Sequence, residues 1–385
     1  MCTQEEQDRI LALERYHAGE SPKAIYTSLG HSKYWFYKWL NRYDTQAPHW
    51  YQDRSTRPLT SPYRTPKEIE QIVCLTRHHL YNQGTFCGAQ AIRWQLQDEG
   101  VKPIPSEATI KRILRKNDLT NKRTGRYEPK GKKYPKLPDQ RPNDVHQFDF
   151  VGPCYLSKPL RFYSLNVMDV ASRRCAIEAM TSKANVYGLV WKAWKRLGIP
   201  RFAQFDNAME FYGSPQHPRS MGQVIRLCLS LGVEAVFIPI REPWRNGKVE
   251  KFNDHWTAKF FSRVHLDSEE TLVGESREFE TRHNHTWHYS PLGGKTPLAF
   301  LKGSGVKLRF PRGSKPRRLD KPTQGKYHVI RFIRSDLSLD IFGERFPVPA
   351  ELKYEYVQAT IDVGLETLHL YCDHVKTAEI PYKLP

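Results

Sequence analysis

Asp149, Asp206 and Glu250 are the residues whose surroundings most invite chemistry. Asp149 interrupts the apolar run VHQFDFV, where strand alternation turns Phe148 and Phe150 to the opposite face. A carboxylate inside a core strand is costly unless it is paired or bound to a cation. Asp206 closes the strand-like RFAQFD, at the carboxyl end where open α/β sheets place their sites. Glu250 belongs to the first turns of a helix that starts near Asn246. If the two strands are neighbours, the three side chains can meet. Hard carboxylate oxygens suit Mg²⁺ or Mn²⁺. Two such ions about 3.5–4 Å apart would serve phosphoryl transfer, one activating the attacking water or 3′-hydroxyl and the other steadying the leaving oxygen. Other ligand candidates read as structural. Asp169, in NVMDVASR, is an internal polar residue, and His283, His285 and His288 read as packing and hydrogen-bonding groups. His78 and His79 lie at the wrong spacing from Cys74 and Cys87 for zinc, and the seven scattered cysteines contain no CxxC.

These carboxylates must be held by a core spanning 144–300. Three β-rich segments, VHQFDFV, LRFYSLNVMDV and RRCAIEAM, precede alternating helices and strands, so the expectation is an α/β mixed sheet with helices on its faces. Gly152 and Pro153 are expected to end the first strand. A basic linker, 301–325, leads into short strands over 326–385 that suit a small β-barrel, either a DNA- or subunit-binding module or a folding cap.

Ahead of the core lie two all-α units. Residues 1–50 read as three helices with a glycine turn, the pattern of a helix-turn-helix, and Lys33, Lys38 and Arg42 line one side of the third. A Pro- and Arg-rich linker, 51–66, separates it from a second helix-turn-helix-like unit, 67–120, whose last helix carries Lys111, Arg112 and Arg115. Segment 121–143 is a basic tether. Lys248 and Lys251 flank Glu250 and are further candidates for DNA contact. The formal charge of +19, from 60 Lys plus Arg against 41 Asp plus Glu, favours duplex DNA as the partner. No apolar run is long enough to cross a bilayer and the start lacks a signal peptide's apolar stretch, so no membrane partner is expected. The expected location is the cytoplasm, on the nucleoid of a prokaryotic-type cell.

The runs QFDFVGP, FDNAMEF, REPWRNGKVEKFN and RHNHTWHYSPLGGKTP, in that order across 144–297, resemble the integrase core of insertion-sequence transposases, the DDE relatives of retroviral integrases. That resemblance implies an RNase H-like fold, cleavage at transposon ends, strand transfer into target DNA, Mg²⁺ or Mn²⁺ as cofactor and a homo-oligomer on DNA. It carries the catalytic and metal-binding roles onto Asp149, Asp206 and Glu250. The family's usual spacing after its second aspartate lands on Glu242, but Glu242 precedes Pro243, whereas Glu250 occupies the glutamate's place in NGKVE. The insert-like YGSPQHPRS accounts for the longer interval. Thr257 stands where the family often has a basic residue, with Lys251 and Lys259 nearby, and Ala208 replaces a common glycine. A catalytically silent DNA-binding regulator and a ribonuclease acting on RNA–DNA hybrids are the alternatives.

Overall fold

In this computed structural model, residues 3–44, 46–47, 49–53, 65–120, 133–155, 161–214, 216–217, 219–314, 316 and 319–385 are described. Most of the expected linker 51–66 and about half of the basic tether 121–143, at 54–64 and 121–132, lie outside the described residues. The chain forms two compact units, Met1–Pro66 and Lys67–Pro385.

In the first unit, α1 (Gln4–His17) opens on a capping box between Thr3 and Glu6. Pro22 starts α2 (Pro22–Ser28), and Ser32 accepts from Trp35 N to cap α3 (Lys33–Leu40). Ala12, Leu13, Ile25, Phe36 and Trp39 form its core. Lys33, Tyr34, Tyr37 and Lys38 remain on the solvent side of α3, and Arg42 stacks 4.8 Å from the Trp39 ring centre.

The second unit starts with α4 (Lys67–Asn82), α5 (Ala89–Asp98) and α6 (Glu107–Lys116), closed around Val73, Leu80, Ile92, Leu96, Ile110 and Leu114. Apolar residues at helical spacing leave Lys111, Arg112 and Arg115 exposed on α6. The sheet that follows contains β1 (Val145–Tyr155), β2 (Arg161–Asp169) and β3 (Cys175–Met180), then α7 (Val186–Leu197), β4 (Phe202–Phe205), α8 (Met209–Tyr212), α9 (Gln223–Ser230) and β5 (Glu234–Phe237). Next come α10 (Gly247–Trp256), α11 (Glu269–Thr286) and α12 (Pro297–Gly303), and last β6 (Lys326–Phe332), β7 (Ser338–Ile341), β8 (Glu344–Pro347), β9 (Tyr356–Asp362), β10 (Thr367–Cys372) and β11 (Val375–Pro381). β1, β2 and β3 are antiparallel, while β4 and β5 join parallel to β1.

Strand alternation gives each face its own core. Phe148, Val167 and Phe205 pack with Val190, Trp194 and Val224 of α7 and α9. Met168, Cys175 and Ile177 face Val249, Phe252 and Phe279 of α10 and α11. The α4–α6 bundle is joined to this second face by Phe86, whose ring lies 4.7 Å from that of Trp287 and 4.9 Å from that of His255. Lys259 Nζ donates to Thr85 O at 2.7 Å across the same seam.

Three expectations are corrected. The tail does not close into a separate small β-barrel. Instead β6 pairs parallel with β5, and β9, β10 and β11 continue outward in an open nine-stranded mixed sheet, with β7 and β8 as a two-stranded ribbon. Without β6, that edge of β5 would leave its N–H and C=O groups unpaired. Tyr327 and Val329 then bury into the core already occupied by Ala235 and Phe237. Nor do Gly152 and Pro153 end the first strand: β1 runs on to Tyr155 through an irregularity between Val151 and Cys154, because pairing to β2 resumes at Cys154 and Phe162. The expected linker 301–325 also begins inside α12. Among the described residues, no helix is long and apolar enough to cross a membrane.

Candidate active site

The site grows from the register of β1 and β4. Gln147 pairs with Gln204, and Phe202 and Val145 lie one period earlier. Two residues further along lie Asp149, still within β1 and on the same face as Gln147, and Asp206, the residue that directly follows β4. The two glutamines anchor the chain that carries the glutamate. Gln147 Oε1 accepts from Lys248 N at 3.0 Å and Val249 N at 3.1 Å, two of the free amides that open α10. Gln204 Nε2 donates to Arg245 O at 2.9 Å, and Asn246 Nδ2 to Phe148 O at 2.8 Å. With Val249 and Phe252 buried below, Glu250 is held at the rim beside Asp149.

The electrostatics record this convergence. Burial, the charge of Asp206 and then that of Glu250 push the Asp149 carboxyl up to about 7. Hydrogen bonds from Phe150 N at 2.9 Å and Asn253 Nδ2 at 2.7 Å act the other way without cancelling it. Asp206 is raised by burial and Glu210, against Ala208 N and Lys183. Glu250 is raised by burial and Asp254. Asn253, one turn beyond Glu250, takes its orientation from a buried polar row: Ser164 Oγ donates to Asn166 Oδ1 and Asn166 Nδ2 to Asn253 Oδ1, both at 2.8 Å.

Among the described residues, no three His, Cys, Asp or Glu side chains stand close enough together to form a ready ligand cluster. The donors nevertheless fit a hard divalent cation in kind. They are carboxylate oxygens, and the mutual repulsion felt at Asp149 is what such a cation would relieve.

No family model matches this chain. Retroviral integrases are similar to parts of it. The HTLV-2 integrase catalytic core domain, in complex with magnesium and in dimeric form, is 17% identical with a TM-score of 0.32, over 42% of this chain and 99% of that one. The simian T-cell lymphotropic virus intasome in complex with PP2A regulatory subunit B56 gamma is 15% identical with a TM-score of 0.39, over 80% of this chain and 96% of that one.

The other candidates separate clearly in space. Glu242 is committed elsewhere: Arg245 Nε donates to its Oε2 at 2.9 Å and Tyr356 OH to its Oε1 at 2.8 Å. Asp169 is fully buried and accepts from Asn143 N at 3.1 Å and from Ser172 N at 3.2 Å, which closes the turn after β2. His283 is buried between Cys175 and Tyr289, and His288 meets Asp98 at 3.0 Å. Lys248 and Lys251 are exposed beside Glu250, Lys251 lying 3.0 Å from Asp254. Lys33 and Lys38 belong to α3, with Arg42 just beyond it, and Lys111, Arg112 and Arg115 belong to α6; none of these elements carries a carboxylate of the site.

Gln147, Gln204, Asn246 and Asn253 were not foreseen as site residues. Their signal was available: Gln147 and Gln204 each stand two residues before a candidate aspartate in otherwise apolar strands. Gln147→Ala strands two backbone donors, the one on Val249 buried, costing about 1–3 kcal/mol. Thermal unfolding should show that loss, and a divalent cation should recover less stability in the variant than in the parent.

Proposed function

We propose that this protein is a DDE-type transposase with an RNase H-like core, which cuts DNA at the ends of a mobile element and joins those ends to a target duplex. The observation that carries the reading is the placement of Asp149 on β1, Asp206 directly after the neighbouring β4 and Glu250 near the start of α10, which Gln147 and Gln204 tie to those two strands. Asp149, Asp206 and Glu250 would hold Mg²⁺ or Mn²⁺, two ions in the full site, which supply Lewis-acid activation of the attacking and leaving oxygens.

The chain's own residues do the rest. Asn253 Nδ2 fixes one oxygen of Asp149 and Phe150 N the other, which sets the orientation of the carboxylate. Gln147, Gln204 and Asn246 hold the start of α10, so that Glu250 keeps its height over the sheet. Lys248 and Lys251 offer charge to DNA phosphates next to the carboxylates. The exposed faces of α3, with Lys33 and Lys38, and of α6, with Lys111, Arg112 and Arg115, serve DNA-end recognition as helix-turn-helix units, with Arg42 beside α3. One chain carries one such site while an element has two ends, so the working form is a homo-oligomer on duplex DNA in the cytoplasm.

The decisive experiment incubates the protein with labelled duplex carrying the element's ends, a supercoiled target, and Mg²⁺ or Mn²⁺. Metal-dependent joined product is the expected result. Specific end binding with no product in either metal would overturn the transposase reading in favour of a silent regulator.

Phosphate binding by α6 has its own test. Replacing Lys111, Arg112 and Arg115 by Ala should lower the slope of log affinity against log salt by about 0.9 for each phosphate left without its cation. An unchanged slope in a filter-binding or anisotropy titration would exclude α6 from the interface.

A further inference from the structure

The turn after β4, which carries Asp206, has left the strand ladder and needs other support. Asp206 Oδ1 accepts from Ala208 N at 3.0 Å, a local bond that shapes the turn without tying it to the rest of the protein. The tie comes from Asn207. Its Nδ2 donates to Ile238 O at 2.7 Å, just beyond β5, and its Oδ1 accepts from Arg331 Nη2 at 2.8 Å.

Arg331 belongs to β6, over a hundred residues further along the chain. It is 5% exposed. Its Nη1 donates to Ile238 O at 3.1 Å and Ile330 O at 2.9 Å, and its Nε to Asp340 O at 2.9 Å. The guanidinium therefore closes a triangle with Asn207 and the Ile238 carbonyl, clamping the carboxyl ends of β4 and β5 from the tail strand. A planar fork with five N–H donors can serve these acceptors at once; an ammonium cannot keep the same geometry. Arg331 is not among the charges that set the Asp206 carboxyl, so its influence on that residue runs through position.

We propose that Arg331 is a positioning residue for the carboxylate site, acting through Asn207 on Asp206, and that the C-terminal strands are thereby part of the catalytic architecture. This rests on the metal-dependent reading given above. Groups behind a metal ligand typically change metal affinity by about 10–100-fold when removed. Mn²⁺ alone is the probe, titrated into the full-length protein without DNA and followed by thermal shift and tryptophan fluorescence. Arg331→Lys, Asn207→Ala, the double variant and Asp149→Asn are compared with the parent.

The expected result is a half-saturating Mn²⁺ concentration raised about ten-fold in each single variant, with the double variant no worse than either. Asp149→Asn should lose the response. Parental affinity in Asn207→Ala or in folded Arg331→Lys overturns the proposal, as does a double variant whose loss is the product of the two. Should Arg331→Lys fail to fold, Asn207→Ala alone decides, because that side chain is only half-buried. A parent protein that ignores Mn²⁺ defeats the metal-dependent reading itself, a different failure from a parent that binds while the two variants match it.

Discussion

Asp149→Asn and Glu250→Gln should each lose strand-transfer product by about a thousand-fold, the loss of several kcal/mol of metal-borne transition-state stabilisation. Both substitutions keep the shape of the side chain and remove one negative charge. The amide oxygen that Asp149→Asn leaves in place can still accept from Asn253, so the α10 to β1 contact survives and end binding should be unchanged. Glu242→Gln is the discriminating control. Glu242 is bonded to Arg245 and Tyr356, with both carboxylate oxygens engaged. Its loss weakens a partly buried ion pair and should lower thermal stability while leaving joined product within a few-fold of the parent. Gel assays of joined and nicked products on the same DNA make the comparison. Should Glu242→Gln abolish joining and Glu250→Gln spare it, the carboxylate trio would have to be redrawn.

The second large effect is a stability that falls as pH rises. Asp149 titrates at about 7 in the folded protein against an ordinary value of 3.8, so the folded state holds its proton more tightly than the unfolded chain does. The stabilising contribution of that proton is present below about pH 4 and is lost progressively as pH rises through the folded value near 7. Above that, the carboxylate is charged in both states and its burial beside Asp206 and Glu250 is a pure penalty. Asp206 and Glu250 are raised too and act in the same direction. Asp149→Asn should therefore match the parent near pH 4 and exceed it at pH 8, by about 1–2 kcal/mol once the partial exposure of the carboxylate is allowed for. Differential scanning calorimetry across that range provides the measurement. Mg²⁺ or Mn²⁺ at pH 8 should then raise the melting temperature of the parent and leave Asp149→Asn nearly unmoved, by mass action on a site that only the parent keeps intact. A variant less stable than the parent at pH 8 would show that the Asp149 charge is compensated within the fold.

Much of this is legible in the amino-acid sequence. The helical reading of residues 1–50 and 67–120 is met by α1 to α3 and α4 to α6, with Ser32 and Ser106 capping α3 and α6. Those are local properties, decided by residues a turn apart. Asp149 and Asp206 stood out for the same kind of reason, a charge in an apolar strand and a charge at a strand end. The preference for Glu250 over Glu242 rested on motif position. In space Glu250 is the one whose charge acts on Asp149, while Glu242 is bonded to Tyr356 of β9.

What the sequence by itself determined is the set of elements and the chemical character of each: basic helices, apolar strands, and acids too costly to bury idly. Which strands pair was decided only in three dimensions. The tail reads as a barrel because its strands are short and separated by turns, and nothing in β6 announces β5 as its neighbour. Pairing is a long-range choice, made where the unpaired edge of β5 and the unfilled apolar surface above Ala235 and Phe237 can both be satisfied by Tyr327 and Val329. That single choice also delivers Arg331 to Asn207. Periodicity along one segment carries no information about the partner it will meet, so the clamp on the Asp206 turn exists only once the sheet has formed.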